Sequence, residues 1–242
     1  MVEPLSQGKY EVTQKGPGCF LRAEEAAGGR RVSLWPLNGA GAEALANAVS
    51  VLSAGGCEFI LAPREVISEA GHDWLVLDAF PRKSLRELLD RAHKHCLEPR
   101  ELARIAADLC EALDYLHGKG LAHGAVTPEH VGVTDEGSAR LAWVGPSAAS
   151  PQDDLQQLAA LIYEMATGKS MSPGQNTPIG SPKELNYDLS DDLSALIVRL
   201  LSPDAARRPL SARDMLIELT ELALFPACGR GLGCNSCRFC TM

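Results

Sequence analysis

Residues 115–145 read YLHGKGLAHGAVTPEHVGVTDEGSARLAWVG, and the reading of this stretch decides the fold. Its first residues finish an apolar stripe. Leu102, Ile105, Ala106, Leu109, Leu113 and Leu116 recur at helical spacing. Pro99 opens that helix where its missing N–H costs no bond, and Gly118 and Gly120 end it. A polar loop, HGAVTPEH, follows. Then HVGVTDEGSARLAWV reads as two short β runs around a turn at Asp135–Gly137. The stretch is therefore a helix end, a loop and a small hairpin.

Upstream, the chain is mostly strand. YEVTQ alternates, GPG breaks the run, CFLRA resumes it, and EEAAGGR is a turn with two glycines. RVSLWPL is a further strand ended by Pro36. Residues 40–54 are Ala-rich and predict one helix, closed by Gly55 and Gly56. FILAPREVI and DWLVLDAF form a strand pair around SEAGH. Ser84 with Glu87 makes a capping box ahead of LRELLDRAHKH. Downstream, Asp154 to Thr167 is apolar nearly all round, the pattern of a buried helix. A Pro-, Gly-, Asn- and Ser-rich loop spans 170–183, and two amphipathic helices start near Ser190 and Ser211. No internal repeat is present.

Composition bounds the function. The chain has 242 residues, 45% hydrophobic and 22% charged, with a formal net charge of −8. That is ordinary globular composition and argues against a disordered chain. No basic stretch interrupts the acidic balance, which argues against nucleic-acid binding. No run approaches the roughly 18 apolar residues of a membrane span. The N-terminal MVEPLSQGKY lacks a basic-then-apolar pattern, so the expected location is cytoplasmic. Of the eight cysteines, Cys19, Cys57, Cys96 and Cys110 are scattered. Cys228, Cys234, Cys237 and Cys240 crowd the last fifteen residues.

A strand-rich lobe followed by a helical lobe resembles a protein kinase, closest to bacterial Ser/Thr kinases, and local motifs sharpen the likeness. Residues 115–145 resemble the family's catalytic loop, hairpin and metal-binding turn. DDLQQLAALIYEMATG resembles its central buried helix, with Asp154 at the helix-start aspartate. SLRELLD resembles the helix after the hinge, and LLSPDAARRPLSARDML the closing Arg-Pro segment and last helix. The likeness runs from about Tyr10 to Leu224. It implies a bilobal α+β fold, with an N-lobe over 9–80, a C-lobe over 81–224 and a Cys-rich tail over 225–242.

Kinase chemistry is positioning and charge neutralisation around phosphate and Mg²⁺, and the residues for it are missing. In Val32–Ser33–Leu34–Trp35, Trp35 stands where the resemblance places the strand lysine. Ala125 replaces the catalytic aspartate, Thr127 a lysine, His130 the metal-binding asparagine and Trp143 the magnesium aspartate. Ala125 offers no proton acceptor, a loss of roughly 10²–10⁴-fold in rate. Trp143 has only an N–H donor and cannot bind a hard cation that demands oxygen. Gly16, Gly18 and Phe20 match the glycine-rich loop, but Leu21 replaces its third glycine. Gly132 stands where the family has an apolar residue under the adenine. Glu43 is the nearest candidate for the helix glutamate. Only residues 146–153 separate Gly145 from Asp154, so most of the activation segment is absent, and Arg208 loses its usual glutamate partner.

The resemblance therefore implies a pseudokinase: not an enzyme, not a binder of Mg-ATP in the usual way, but a scaffold or allosteric regulator of a protein partner. Trp35 and Trp143 are expected to face each other across the cleft and fill the phosphate volume. His123 reads as a structural core residue, Cys110 as a small core residue, and His130, alone without a carboxylate pair, as solvated. His93, His95 and Cys96 read as a solvated helix end. In the tail, four soft thiolates at C-x5-C-x2-C-x2-C suit Zn²⁺ or, second, an iron–sulfur cluster. Reactive thiols and intermolecular disulfides are the other readings. Phe239 at the fourth-from-last position excludes a prenylation box. The alternative function is an atypical nucleotide-binding transferase, or a metal or redox protein built on the tail.

Overall fold

The structure, a computed structural model, describes residues 4–5, 9–16, 20–37, 42–53, 55–69, 72–145, 148–171 and 180–223. In chain order its elements are β1 (Pro4–Leu5), β2 (Tyr10–Lys15), β3 (Leu21–Glu25), β4 (Arg31–Leu37), α1 (Ala42–Ser53), β5 (Ile60–Leu61), β6 (Pro63–Glu69), β7 (His72–Asp78), β8 (Lys83–Ser84), α2 (Leu85–Arg91), α3 (Pro99–Gly118), β9 (Val131–Val133), β10 (Ala139–Ala142), α4 (Pro151–Thr167), α5 (Pro182–Leu185), α6 (Asp191–Leu200) and α7 (Ala212–Ala223).

A six-stranded antiparallel sheet, ordered β1-β2-β3-β4-β7-β6, forms the first lobe. Gly29, at φ +63, closes the β3–β4 hairpin in a backbone region that favours glycine. Pro36 does not end β4. It lies inside the strand, paired with Trp74 of β7, beyond the point where β3 stops pairing at Leu34. A proline lacking its N–H is tolerated there because only one neighbour is left to bond. FILAPREVI is also two strands rather than one. Ile60–Leu61 pairs parallel with β10 in a second, four-stranded sheet, and the chain rejoins the first sheet at Pro63.

The period-2 alternation of the large sheet decides what faces the helical lobe. Ala23, Val32, Leu34, Ile67 and Val76 form a small cluster with Tyr10. Phe20, Trp35, Leu75 and Leu77 join the main core, which is continuous with α3, α4, α6 and α7. The helical lobe is built as its sequence pattern requires. All six stripe residues of α3 are fully buried. The Ser84–Glu87 capping box opens α2. α4 begins earlier than Asp154, at Pro151, behind a second capping box between Ser150 and Asp153, and ends on left-handed Gly168 at φ 69. The connection from β10 to α4 is only residues 143–150.

Candidate functional site

The loop HGAVTPEH is held from below by α4. The Asp154 carboxylate, fully buried, accepts from the backbone N–H of His123 at 2.8 Å, the N–H of Gly124 at 2.6 Å and His117 Nε2 at 2.8 Å. Burial alone would raise its pKa. The His117 bond and the two amides outweigh that and hold the carboxyl below its ordinary value. Gln157, three residues on, accepts from the Val126 N–H at 2.7 Å. His123 Nε2–H donates to the Ala142 carbonyl at 2.8 Å, and Nδ1 accepts from the Ala125 N–H at 3.2 Å. Both ring nitrogens are thus used by a neutral imidazole, and burial pushes its pKa down to about 4. His123 is a structural core residue.

Arg86 of α2 closes the same region, pairing with Glu129 at 3.0 Å and with Glu164 of α4 at 2.8 Å. The sequence reading missed it. A lone arginine on an amphipathic helix carries no signal that two acidic partners await it.

The cleft above this loop is filled by rings. Trp35, 2% exposed, stacks on Phe20 with centroids 4.6 Å apart and planes 15° from parallel. Phe80 packs against both, 4.8 Å from Phe20 and 5.9 Å from Trp35. His130 meets Trp35 from the helical lobe at 5.3 Å. His130 is therefore not the solvated side chain its isolation implied. Its Nδ1 lies 2.9 Å from Thr127 Oγ1, and burial lowers its pKa. Trp35 and Trp143 share the core but are not the pair expected. The ring that Trp35 meets across the lobes is His130, while Trp143, fully buried, points Nε1 at the Ala122 carbonyl at 3.4 Å. The Trp35 Nε1–H is, among the described residues, the one buried side-chain polar atom without a hydrogen-bond partner.

Two glycines make room for these rings. A Cβ on Gly16 would stand 2.3 Å from the Phe20 ring, and one on Gly132 would stand 2.5 Å from Pro81 and 3.2 Å from Phe80. The segment after β7 that joins the lobes is held as well. Arg22 of β3 donates Nη1 to the Phe80 carbonyl at 2.9 Å and Nη2 to the Pro81 carbonyl at 2.8 Å, with Arg82 O at 3.3 Å. Burial lowers the Arg22 pKa. Ser33 Oγ accepts from the Phe80 N–H at 2.7 Å. A groove of about 1240 Å³ runs beside this linker, lined in part by Lys15, Arg22, Ser33, Asp78, Phe80 and Arg82.

Ala125 places a methyl group at the loop's turn and no acceptor. Arg208 donates to the carbonyls of Ser202 at 2.6 Å and Pro203 at 3.0 Å, so it is not left facing water. Cys110 is fully buried, and burial raises its thiol pKa. Asp108 of α3, which sequence reading passed over, accepts from the Ala139 N–H at 2.7 Å, and burial pushes it up to about 6. Among the described residues no group of three or more His, Cys, Asp or Glu is arranged to hold a metal ion. No helix among them is long and apolar enough to cross a membrane. Cys19, Gly18, residues 172–179 of the polar loop, Leu224 and the tail with Cys228, Cys234, Cys237 and Cys240 lie outside the described residues, as does the side chain of Glu43.

The sequence profile of the protein tyrosine and serine/threonine kinase family matches residues 37–162. Sperm motility kinase Z of Mus musculus is 25% identical over 186 residues, 63% of this chain and 37% of the mouse protein. A probable serine/threonine-protein kinase of Clostridium acetobutylicum is 23% identical over 198 residues, 65% of this chain and 30% of that protein. The chain spans about a third of the length of these curated relatives. The crystal structure of the Mycobacterium tuberculosis PknI kinase domain superposes with a TM-score of 0.74 at 19% identity, covering 92% of this chain and all of that domain. The bilobal α+β architecture is that of a kinase domain.

Proposed function

From the premise that this chain belongs to the protein tyrosine and serine/threonine kinase family, we propose that it is a pseudokinase, a kinase-shaped interaction module that transfers no phosphate. The observation that carries this reading is the ring cluster of Phe20, Trp35, Phe80 and His130 between the lobes. Phosphoryl transfer needs fixed cations and metal-bound oxygens at that place. Trp35, Ala125, His130 and Trp143 supply none of them. An indole, a methyl group, an imidazole engaged with Thr127 and a second indole leave no hard oxygen ligand for Mg²⁺. The loop is nevertheless held by Asp154 with a full set of hydrogen bonds. That favours a rigid body used for contact with a protein partner, as scaffold or allosteric regulator.

A thermal-shift titration with Mg-ATP tests the reading. Ligand at about 100 Kd would stabilise the fold by about 2.7 kcal/mol, a rise of several degrees in Tm for a chain of this size. The expected result is no shift. A metal-dependent rise would sink the proposal in favour of an atypical nucleotide-binding transferase.

The tail adds a separate proposal. Four thiolates from Cys228, Cys234, Cys237 and Cys240 fit the soft donor set of Zn²⁺. The protein is expected to carry about one zinc per chain, lost on deleting residues 225–242, when metal content is measured directly. Iron and sulfide in its place would assign the cluster instead, and no metal would leave the cysteines as thiols or intermolecular disulfides.

A further inference from the structure

We propose that Arg22 and Ser33 form a built-in clasp that fixes the linker on the first lobe without any nucleotide, by occupying the hydrogen-bonding edge a planar base would need. The inference rests on the reading that this cleft takes no Mg-ATP, and it names the device that holds the linker without a ligand.

The two residues are direct cross-strand partners, Arg22 of β3 opposite Ser33 of β4. Side chains at paired positions share a sheet face, and both reach the same linker residue. The Phe80 carbonyl takes Arg22 Nη1 at 2.9 Å, and the Phe80 N–H gives to Ser33 Oγ at 2.7 Å. One rung of the sheet thus satisfies both backbone groups of one residue. A second Arg22 nitrogen continues along the linker to Pro81 O. The guanidinium is planar, with donors along its edges, and it lies over the Phe20 ring at 5.5 Å. A flat group stacked on an aromatic ring, bonding edge-on to backbone, is how proteins hold a base. Here the protein supplies the flat group itself.

Charge supports the assignment. Burial lowers the Arg22 pKa, with Glu87 the leading opposing charge. Yet no ion pair within 4.0 Å involves Arg22 among the described residues. A partly desolvated cation without a carboxylate is costly unless its donors find acceptors, and the three carbonyls of residues 80–82 accept from Nη1 and Nη2. The groove beside the linker gives a base a way in once the clasp is removed.

The test is amide hydrogen exchange across residues 79–83, with adenosine and no metal as the probe. In the native chain the Phe80 amide is expected to be protected, and adenosine to change nothing. Ser33→Ala and Arg22→Met should each speed exchange of that segment by roughly tenfold or more, and the double variant should regain protection when adenosine is added. Arg22→Lys keeps the cation but gives up the fork, so it should loosen the segment less than Arg22→Met. It also serves as the readout if the double variant does not fold. Folded variants that exchange like the native chain would overturn the clasp while leaving the pseudokinase reading intact. Adenosine-dependent protection in the native chain would overturn the clasp too. A Mg-ATP shift of the native chain judges the pseudokinase reading separately.

Discussion

Gly16→Ala is the sharpest probe of the ring cluster. Its effect should depend entirely on one other side chain. A Cβ at residue 16 would meet three atoms of the Phe20 ring at 2.3, 2.4 and 2.7 Å, where carbon atoms in contact sit about 3.5–4.0 Å apart. The ring would have to move by about 1 Å, away from a stack on Trp35 with centroids at 4.6 Å. Overpacking of that kind costs about 1–3 kcal/mol. Gly16 is not in the left-handed region, so alanine pays no backbone strain. In the unfolded chain it even gives back about 0.4–1 kcal/mol. Phe20→Ala alone should cost about 3–5 kcal/mol, since the ring is fully buried. In that background Gly16→Ala should cost nothing, or stabilise slightly. The cycle therefore predicts a coupling of about 1–3 kcal/mol, read from urea midpoints at constant m-value. Phe20→Leu serves if the alanine variant does not fold. If Gly16→Ala costs the same with and without the ring, Phe20 is not under residue 16 and the filled cleft is wrong.

Asp154→Asn should destabilise by about 1–3 kcal/mol in the same urea assay. Both carboxylate oxygens are in use, and an amide would turn an NH₂ toward one of the loop's N–H groups. Exchange of the His123 and Gly124 amides should rise more than the global change accounts for. Asp108 should make stability fall as pH rises from about 4 to about 6. Its folded pKa is about 6 against an ordinary 3.8, so the native state holds the proton that the unfolded state has released. Asp108→Asn should remove that slope and stabilise the protein at pH 7 by about 1–3 kcal/mol. A flat native pH profile over this window would show that the carboxyl is not forced to ionise in a buried site.

The backbone was largely legible because its signals are local. The α3 stripe, the Ser84–Glu87 box and the hairpin at Asp135–Gly137 each need only neighbours in sequence. The Ser150–Asp153 box is equally local, but it precedes the apolar run from Asp154, so α4 begins at Pro151, ahead of the apolar pattern. The cleft was harder. Trp35 lies on a strand as expected, yet its partners Phe20, Phe80 and His130 come from three other segments, and the register of β3 on β4 accounts only for Phe20. Alternation groups residue 20 with 22 and residue 33 with 35, and the Arg22–Ser33 pairing puts both groups on one face. Position-by-position comparison with a motif does not use that alternation, which is why Trp143 was named instead. Arg22 gave no warning, because a charge in a strand ordinarily points to water. Pro36 and the break between Leu61 and Pro63 reflect pairing on one side only, which no single strand reveals.

The polar groups in this molecule divide by where their partners come from. Asp154 is satisfied by amides and a histidine of its own chain, Arg86 by Glu129 and Glu164, Arg208 by two carbonyls, Arg22 by three. Each bond is complete within the chain itself. A catalytic lysine or metal-binding aspartate differs. Its partners are phosphate and Mg²⁺ from solution, and without them it is a desolvated charge in a cleft, held at a cost in stability. On the proposed pseudokinase reading Trp35, Trp143, His130 and Ala125 stand at those positions, and their side chains need no ligand to be stable. The Trp35 N–H is, among the described residues, the one buried side-chain donor left over, a cost of about 1–3 kcal/mol against the area that its ring and its neighbours remove from water. Gly16 and Gly132 serve the same end by shape rather than by charge. In a cleft whose contents are covalently attached, what must be matched is volume, and Gly16 and Gly132 leave the space that Phe20 and the Phe80–Pro81 pair occupy.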